Sequence, residues 1–344
     1  MFDTQNITVI TRETRVEQLR AKWGTLGQAR FVLESARARA REGIESAGSK
    51  STSLSRGKKN ANSAQAQRPS DEMGEFAFLE AEHQQYESAL ETLERDLNFG
   101  LPVKFLKREY VPTYDFSRTA VVIVIGQDGL VANTAKYVGE LPVIGVNPDP
   151  QRIDGVLLPF TYEHLRPTVE RVLAGRYQSR RVTLAECELS DGQKMLAFND
   201  FFIGAKTHVS ARYLLTAGEQ LEAQSSSGVL VSTGAGSTGW LSSVFNMAAG
   251  VNGFFGKTSN ERVQWSWEEL RLFWAVREPF VSRTSQATLV AGELRARDRL
   301  RVESLMPENG VIFSDGIELD FLNFTSGTIA HIGVAGRQAN LVVG

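Results

Sequence analysis

The chain has 344 residues, 42% of them hydrophobic, which is enough to build more than one buried core. Its formal net charge of −2 gives no overall field that would attract nucleic acid or an anionic membrane surface. The single cysteine, Cys187, excludes an internal disulfide framework and a cysteine metal cluster.

The distribution of apolar and basic residues disfavours membrane insertion and secretion. No apolar stretch approaches the roughly 20 residues that a helix needs to span a bilayer. The first residues, MFDTQNITVITRE, lack the basic and then apolar plan of a signal peptide. We therefore expect a cytoplasmic protein that binds neither membranes nor nucleic acid.

The first part of the chain predicts a strand, a long helix, a second helix and a second strand, at residues 6–11, 14–41, 71–98 and 103–110. Between the two helices, residues 42–70 are rich in Ser, Ala, Gly, Lys and Asn and carry almost no large apolar side chain. Such a segment cannot bury enough surface to offset its ordering entropy, so we predict a flexible surface insertion.

Residues 120–147 predict a βαβ unit around which the chain is organised. An apolar, β-branched run at residues 120–125 indicates a strand buried on both faces, and it ends in Gly126-Gln127-Asp128-Gly129. A helix at residues 130–138 and a second strand at 142–146 complete the unit. This arrangement places Asp128 beyond the carboxyl ends of parallel strands, where open α/β sheets bind ligands.

Further along, a helix is predicted at residues 162–174, followed by a change of texture near residues 175–181. Many short strand-like pieces separated by turn signals then indicate a mostly β region. These predicted strands are residues 181–188, 195–203, 211–216, 220–224, 229–232, 270–275, 286–290, 299–303 and 310–313.

Three sites in this β region carry polar groups with chemical potential. Asn199 and Asp200 lie within an apolar run, where their side chains need hydrogen-bond partners either in the protein or in a bound ligand. Residues 227–240 form a strand that leads into a glycine-rich loop with hydroxyl groups, and a helix is expected to start near Ser237. Free amides at such a start suit a phosphate or nucleotide. The third site is Asp315-Gly316. Taken by itself, this dipeptide is most simply interpreted as a hairpin turn.

In their order and spacing, these pieces resemble the NAD kinase family, within the superfamily shared with diacylglycerol and sphingosine kinases. The resemblance covers about two thirds of the chain, and Asn147-Pro148-Asp149-Pro150 with Trp240 is most similar to the mitochondrial-type branch. The matched family motifs GGDG, GVN, Asn-Glu/Asp, TGxGSxxW/Y and a late Asp-Gly correspond to residues 126–129, 145–147, 199–200, 233–240 and 315–316.

The resemblance implies an α/β N-terminal domain with a parallel-type sheet and a mostly β C-terminal domain. The corresponding ranges are residues 1–178 for the α/β domain, 179–320 for the dinucleotide-binding β domain, and 321–344 for a segment that returns to the first domain.

The reaction that this resemblance implies is ATP-dependent phosphorylation of the adenosine-ribose 2′-hydroxyl of NAD(H), with Mg2+ as the accompanying ion. Asp128 corresponds to the residue that accepts the hydroxyl proton. Family members are commonly homo-oligomers, and we expect the same here. The implied substrate and nucleotide contacts are Gly126, Gly129, Asn147, Asn199, Asp200, Thr233, Gly236, Ser237, Thr238, Trp240 and Asp315.

Gln127 departs from the family pattern, because it replaces the second glycine of GGDG. If this position needed a positive φ angle, the glutamine would cost roughly 1 kcal/mol and alter donor binding. Two alternatives therefore stay open: a related kinase acting on a sugar, nucleoside or lipid, and a catalytically impaired nucleotide sensor.

Overall fold

The computed structural model of the chain describes residues 5–48, 75–257 and 264–344. Six α-helices lie in these ranges: α1 (Arg15–Trp23), α2 (Leu26–Gly48), α3 (Glu75–Asp96), α4 (Asp128–Ala135), α5 (Leu165–Leu173) and α6 (Trp240–Phe254). The single helix predicted at residues 14–41 is thus wrong in two respects. It is interrupted at Gly24, whose φ of 77° ends α1, and its second part extends to Gly48.

The observed length of α2 contradicts part of the predicted flexible insertion at residues 42–70. Residues 42–48 continue α2, so the flexible insertion expected to start at residue 42 is wrong for these residues. Their Glu, Ser and Ala residues have adequate helix propensity, which lets the preceding helix propagate. The remainder of that prediction, residues 49–70, lies outside the described residues.

Four parallel strands form the N-terminal part of the sheet: β1 (Asn6–Thr11), β2 (Val103–Lys107), β3 (Thr119–Ile125) and β4 (Pro142–Asn147). They lie in the order β2-β1-β3-β4. Side chains of β1, β3 and β4 pack against α3 and α5 on one face and against α4 on the other. The β-branched run of β3 is therefore buried on both faces, as its sequence predicts.

The two-residue strand β5 (Phe160–Thr161) pairs parallel with β4. The C-terminal part consists of strands in two layers: β6 (Ser179–Leu189), β7 (Lys194–Ala197), β8 (Asp200–Ala205), β9 (Ala211–Ala217), β10 (Gln220–Ser226), β11 (Val229–Ser232), β12 (Arg271–Val276), β13 (Ala291–Arg295), β14 (Leu300–Ser304), β15 (Gly310–Ser314), β16 (Phe321–Asn323) and β17 (Ile329–Val342). A six-stranded sheet, β13-β12-β11-β8-β15-β16, packs against β6, β9, β14 and β17 across an apolar core. The architecture is an α/β part followed by a mostly β part, as expected.

The long strand β17 joins these parts into one sheet of eleven strands. It pairs antiparallel with β6 and β14, and its last residues pair parallel with β4. The domain limits at residues 178 and 320 stay a prediction, because a continuous sheet crosses both halves.

Two predicted strands are wrong. The run at residues 195–203 is divided between β7 and β8, which belong to different sheets, and the chain changes sheet at Phe198 and Asn199. Residues 286–290 form no strand. Instead, the Glu222 carboxylate accepts hydrogen bonds from the Thr288 and Leu289 amides, which replaces strand pairing there.

Among the described residues, each helix is too short or too polar to cross a lipid bilayer.

Candidate functional site

A cleft of about 410 Å³ lies between the turn that follows β3 and the edge of the six-stranded sheet. The structure brings eight of the predicted site residues to its walls: Asp128, Gly129, Asn199, Asp200, Gly236, Thr238, Trp240 and Asp315. Four others lie behind the walls or outside the cleft: Gly126, Asn147, Thr233 and Ser237. The eight residues on the walls come from distant parts of the sequence, so the fold brings the predicted motifs together at one cleft.

The turn between β3 and α4 presents Asp128 at the start of the helix. Gly126 has a φ of 157°, and a Cβ atom there would lie 3.1 Å from Leu130 Cδ2. Gln127 has an ordinary extended φ of −122° and is exposed. Glutamine at this position therefore causes no backbone strain.

The Asp128 carboxylate is held by backbone amides of the loop that follows β4. Val156 N–H donates to Asp128 Oδ2 at 3.0 Å, and Leu157 N–H donates to Asp128 Oδ1 at 2.8 Å. These bonds fix the orientation of the carboxylate, and each oxygen retains a lone pair for a ligand. The carboxylate is partly exposed, so it is reachable from the cleft.

Asn147 and Gly145 determine where this loop lies. Asn147 Nδ2 donates to the Ile153 carbonyl at 2.8 Å, and its Oδ1 accepts from Asp149 N–H at 3.0 Å. A Cβ atom on Gly145 would lie only 1.9 Å from the Leu157 carbonyl oxygen, so the loop packs directly on the strand. Asn147 thus acts on the loop and not on the cleft.

Asp315 closes the floor of the cleft from a left-handed backbone conformation, with φ 55°. Its carboxylate accepts from the amides of Phe198 at 3.2 Å and Asn199 at 2.6 Å. Burial raises the pKa of its carboxyl group, while Lys136 and these amides oppose that rise. Asp315 and Gly316 both have positive φ, so the hairpin interpretation of this dipeptide holds as well.

Lys136 is the residue of this floor that the sequence reasoning missed. It is 1% exposed; its Nζ donates to Ser314 Oγ at 2.6 Å and lies 3.4 Å from Asp315 Oδ2. The signal was a lone cation immediately after the small and apolar residues of α4, because such a charge is buried only when it has a partner.

Asp200 lies beside this pair and is 7% exposed. Burial, with the nearby Asp315 charge as the second cause, raises its pKa to about 7. The carboxyl groups of Asp128 and Asp200 in this cleft therefore have different surroundings: Asp128 is bound by amides, whereas Asp200 is poorly solvated.

In the glycine-rich loop, most groups bond within the loop or to the neighbouring strand. Thr233 Oγ1 donates to the Phe198 carbonyl at 2.6 Å and accepts from Gly236 N–H at 3.2 Å. Ser237 Oγ donates to the Gly234 carbonyl at 2.7 Å. Thr233 and Ser237 are buried and shape the loop, while Gly236 and Thr238 face the cleft.

Trp240 forms a wall of the cleft at the start of α6. Its ring stacks on Phe202, with centroids 5.7 Å apart and planes inclined by 10°, and the Arg277 guanidinium lies 5.1 Å from the ring centroid. This packing holds the indole in place, so a planar ligand group would meet a preformed stacking surface.

A second cleft, of about 790 Å³, lies on the other side of the same turn, at the carboxyl ends of β1, β2 and β3. Basic side chains on its walls are Arg12, Arg15, Lys107 and Arg108, and Gln127 and Asn133 border it from the turn and α4. The sequence reasoning missed this cleft. Its signal was the pair of basic residues directly after β1 and β2.

No family model matches the chain. The chain is 31% identical over 133 residues to an NAD kinase of Chlorobium luteolum, covering 37% of this chain and 44% of that protein. It is 35% identical over 135 residues to an NAD kinase of a Geobacter species (strain M21), covering 35% of this chain and 43% of that protein. The matches thus span less than half the length of these relatives.

The solved structure of yeast NADH kinase complexed with NADH resembles this chain over its whole length. The TM-score is 0.54 and the identity is 14%, and the alignment covers 99% of this chain and 84% of that one. At this identity the likeness shows the fold alone. The predicted resemblance to the NAD kinase family, and the α/β plus mostly β fold that it implies, are confirmed.

Proposed function

We propose that this chain is a kinase that transfers a phosphoryl group from ATP to the adenosine-ribose 2′-hydroxyl of NAD or NADH, giving NADP or NADPH. The observation that carries the proposal is the placement of Asp128. Its carboxylate is fixed by two amides and opens into the cleft that Asn199, Asp200 and Trp240 also line. The sequence match to NAD kinases and the fold of NADH kinase support the same reaction.

In this proposal Asp128 accepts the proton of the 2′-hydroxyl as its oxygen attacks phosphorus. The bonds from Val156 and Leu157 keep the carboxylate in one rotamer, so it needs no reorientation when the hydroxyl arrives. Asn199 and Asp200 contact ribose hydroxyls, and the Trp240 ring stacks on the adenine. Gly236 and Thr238 line the adenine and phosphate side of the cleft, and Gly129 leaves room beside Asp128 for the dinucleotide.

Asp315, Asn147, Thr233 and Ser237 serve the site indirectly in this proposal. Asp315 fixes the amides of residues 198–200, and Asn147 holds the loop that orients Asp128. Gly126 provides the sharp exit from β3. These residues were predicted as ligand contacts, and that prediction stays untested.

Magnesium is the ion that the resemblance implies. Mg2+ commonly keeps several waters and takes one or two carboxylates besides the phosphates of its ligand. Glu109 and Asp320 line the second cleft, where Asp320 Oδ2 accepts a hydrogen bond from the Tyr137 hydroxyl, and their other carboxylate oxygens would hold such an ion. When bound, the ion offsets negative charge on the transferring phosphoryl group.

The proposal predicts that purified protein forms NADP from NAD, ATP and magnesium, or NADPH from NADH. Asp128→Asn should lower kcat by about 100-fold or more, since proton transfer contributes roughly 10²–10⁴-fold. The exposed Asp191, on the turn between β6 and β7, provides the matched control, and Asp191→Asn should keep parental turnover. Equal turnover by parent and Asp128→Asn would exclude Asp128 as the base.

We also propose a cytoplasmic homo-oligomer. Phe254 and Phe255, at the end of α6, are 84% and 71% exposed, and such neighbouring aromatic side chains are typical of a surface that a second copy covers. Light scattering coupled to size exclusion should give a multiple of 38.0 kDa. A monomer at micromolar concentration would contradict this assignment.

A further inference from the structure

The helix α3 contacts both segments that determine where the Asp128 carboxylate lies. Its apolar side packs on the sheet, and Tyr86 on that side is 2% exposed. The Tyr86 hydroxyl donates to the Ile125 carbonyl at 3.3 Å, and Ile125 is the last residue of β3. The turn that leads from β3 to Asp128 therefore starts beside a backbone atom that α3 holds.

The second segment is the loop at residues 148–157, whose amides bind the carboxylate. Gln85, the neighbour of Tyr86 on α3, donates from Nε2 to the Pro148 carbonyl at 3.3 Å and to the Tyr162 hydroxyl at 3.0 Å. Pro148 directly follows β4, and Tyr162 directly follows β5. One side-chain amide thus contacts the chain where it enters the loop and again shortly after it leaves the loop.

A further contact between α3 and this loop lies two helical turns before Gln85. The Arg152 guanidinium lies 5.6 Å from the Phe78 ring centroid, and its Nη1 lies 2.5 Å from Asp149 Oδ2. Phe78 and Gln85 are seven residues apart, which places them on the same face of the helix. The loop therefore contacts one face of α3 at two places, and its position depends on that helix.

These contacts affect the proposed reaction only through the loop. Within the described residues, neither cleft has Gln85 on its walls. Asn147 and Gly145 hold the loop from the side of β4, whereas Gln85 holds it from the side of α3. The loop amides can fix a carboxylate only when they are themselves fixed, so both sides are needed.

We infer that Gln85 is a positioning residue, which holds the loop at residues 148–157 so that its two amides keep the Asp128 carboxylate in one orientation. The inference rests on the proposed function, because it assigns a further residue to the proton transfer of that reaction. Gln85→Leu removes both hydrogen bonds at a partly buried position, and circular dichroism verifies its fold.

Gln85→Leu should lower kcat about tenfold and leave KM for NAD unchanged. Misplacing a catalytic group costs up to about 100-fold, and the loss is smaller here because Asn147 and Gly145 still hold the loop. Gln85→Glu should lower kcat similarly, because an ionised carboxylate accepts hydrogen bonds and cannot donate to the Pro148 carbonyl. The matched control is Gln84→Leu, the same change at an exposed position of α3, which should keep the parental kcat.

Combining Gln85→Leu with Asp128→Asn separates positioning from a general loss of structure. A loss that acts through Asp128 disappears once Asp128 no longer accepts the proton, so the double variant should turn over as slowly as Asp128→Asn alone. If Gln85→Leu lowers kcat by the same factor in both backgrounds, or has no effect in the parent, the inference is overturned.

Hydrogen exchange of the Val156 and Leu157 amides, followed by NMR, tests the positioning without turnover. Exchange should be about tenfold faster in Gln85→Leu than in the parent or in Gln84→Leu, because the loop opens more often. Unchanged exchange would overturn the inference whether or not the protein forms NADP. Faster exchange in Gln85→Leu, together with a parent that forms no NADP, would overturn the proposed reaction and support the positioning of Asp128 by α3.

Discussion

At the scale of single residues, Asp128 and Asp200 share a cleft but differ in surroundings. Asp128 receives two amide hydrogen bonds, whereas Asp200 is buried and its pKa is raised to about 7. The dipeptide Asn199-Asp200 was recognisable from the sequence, because polar groups in an apolar run need partners. Its burial beside Asp315 was not, since this depends on a contact between residues more than 100 positions apart.

The raised pKa of Asp200 makes stability depend on pH. An unfolded chain ionises this group near pH 4, so between about pH 4 and 7 the folded state holds an additional proton. Its contribution is fully present below pH 4 and is lost as the pH rises through 7. Asp200→Asn removes this loss, so we expect the variant to be about 2–4 kcal/mol more stable relative to its parent at pH 8 than at pH 4.

Urea unfolding of parent and Asp200→Asn at several pH values measures this difference. Asp191→Asn, at an exposed turn, is the control and should show no such gain toward alkaline pH. Parallel stability curves for Asp200→Asn and its parent would show that Asp200 ionises normally.

Lys136 carries a second prediction at this scale. Lys136→Met leaves the buried Asp315 carboxylate without its cation, and we expect a loss of about 3–5 kcal/mol in the free energy of unfolding. Lys194 forms an exposed ion pair with Glu188 at 3.2 Å, so Lys194→Met should cost at most about 1 kcal/mol. Denaturant unfolding compares the two, and equal losses would contradict a special role for the buried pair.

At the scale of elements, the sequence predicted most strands because each is a short apolar run with turn residues on both sides. It failed at residues 195–203, where one such run crosses from one sheet to the other. The hydrophobic pattern indicates which residues are buried but not which strand they pair with, and both β7 and β8 are largely buried. It also could not show that Asn147 holds a loop, because its partner, the Ile153 carbonyl, is a backbone atom.

The contact between β4 and the loop at residues 148–157 yields a prediction for catalysis. In Gly145→Ala the new methyl group would lie 1.9 Å from the Leu157 carbonyl oxygen, so the loop must move away from the strand. Its amides would then no longer orient Asp128. A misplacement of this size costs on the order of 100-fold, so we expect kcat to fall by about that factor.

The control for this variant is Gly336→Ala, because Gly336 lies in β17 and a Cβ atom there meets nothing within 4 Å. It should keep the parental kcat. Circular dichroism verifies that Gly145→Ala is folded, and a folded Gly145→Ala with unchanged kcat would show that the loop does not position Asp128.

At the scale of the whole molecule, β17 makes the two halves of the cleft depend on each other. Asp128 and Leu157 come from one half and Asn199, Trp240 and Asp315 from the other, and β17 pairs with β4 in the first half and with β6 in the second. The sequence suggested a returning C-terminal segment only through its resemblance to a family. Composition and periodicity cannot reveal pairing between strands almost 200 residues apart.

This continuity predicts that the two halves unfold together. Hydrogen exchange monitored by mass spectrometry should give the same, highest free energy of opening for amides of β3, β4, β6 and β17, because breaking any of these strands disrupts the sheet they share. Because NAD is expected to bind only the folded cleft, adding NAD should raise the free energy of opening of all four strands equally. Amides of β3 and β4 that exchange at a lower free energy than those of β6 and β17 would instead show two independent domains. In that case the pairing of β17 with β4 would not couple the unfolding of the two halves, and the cleft would be able to open without unfolding either half.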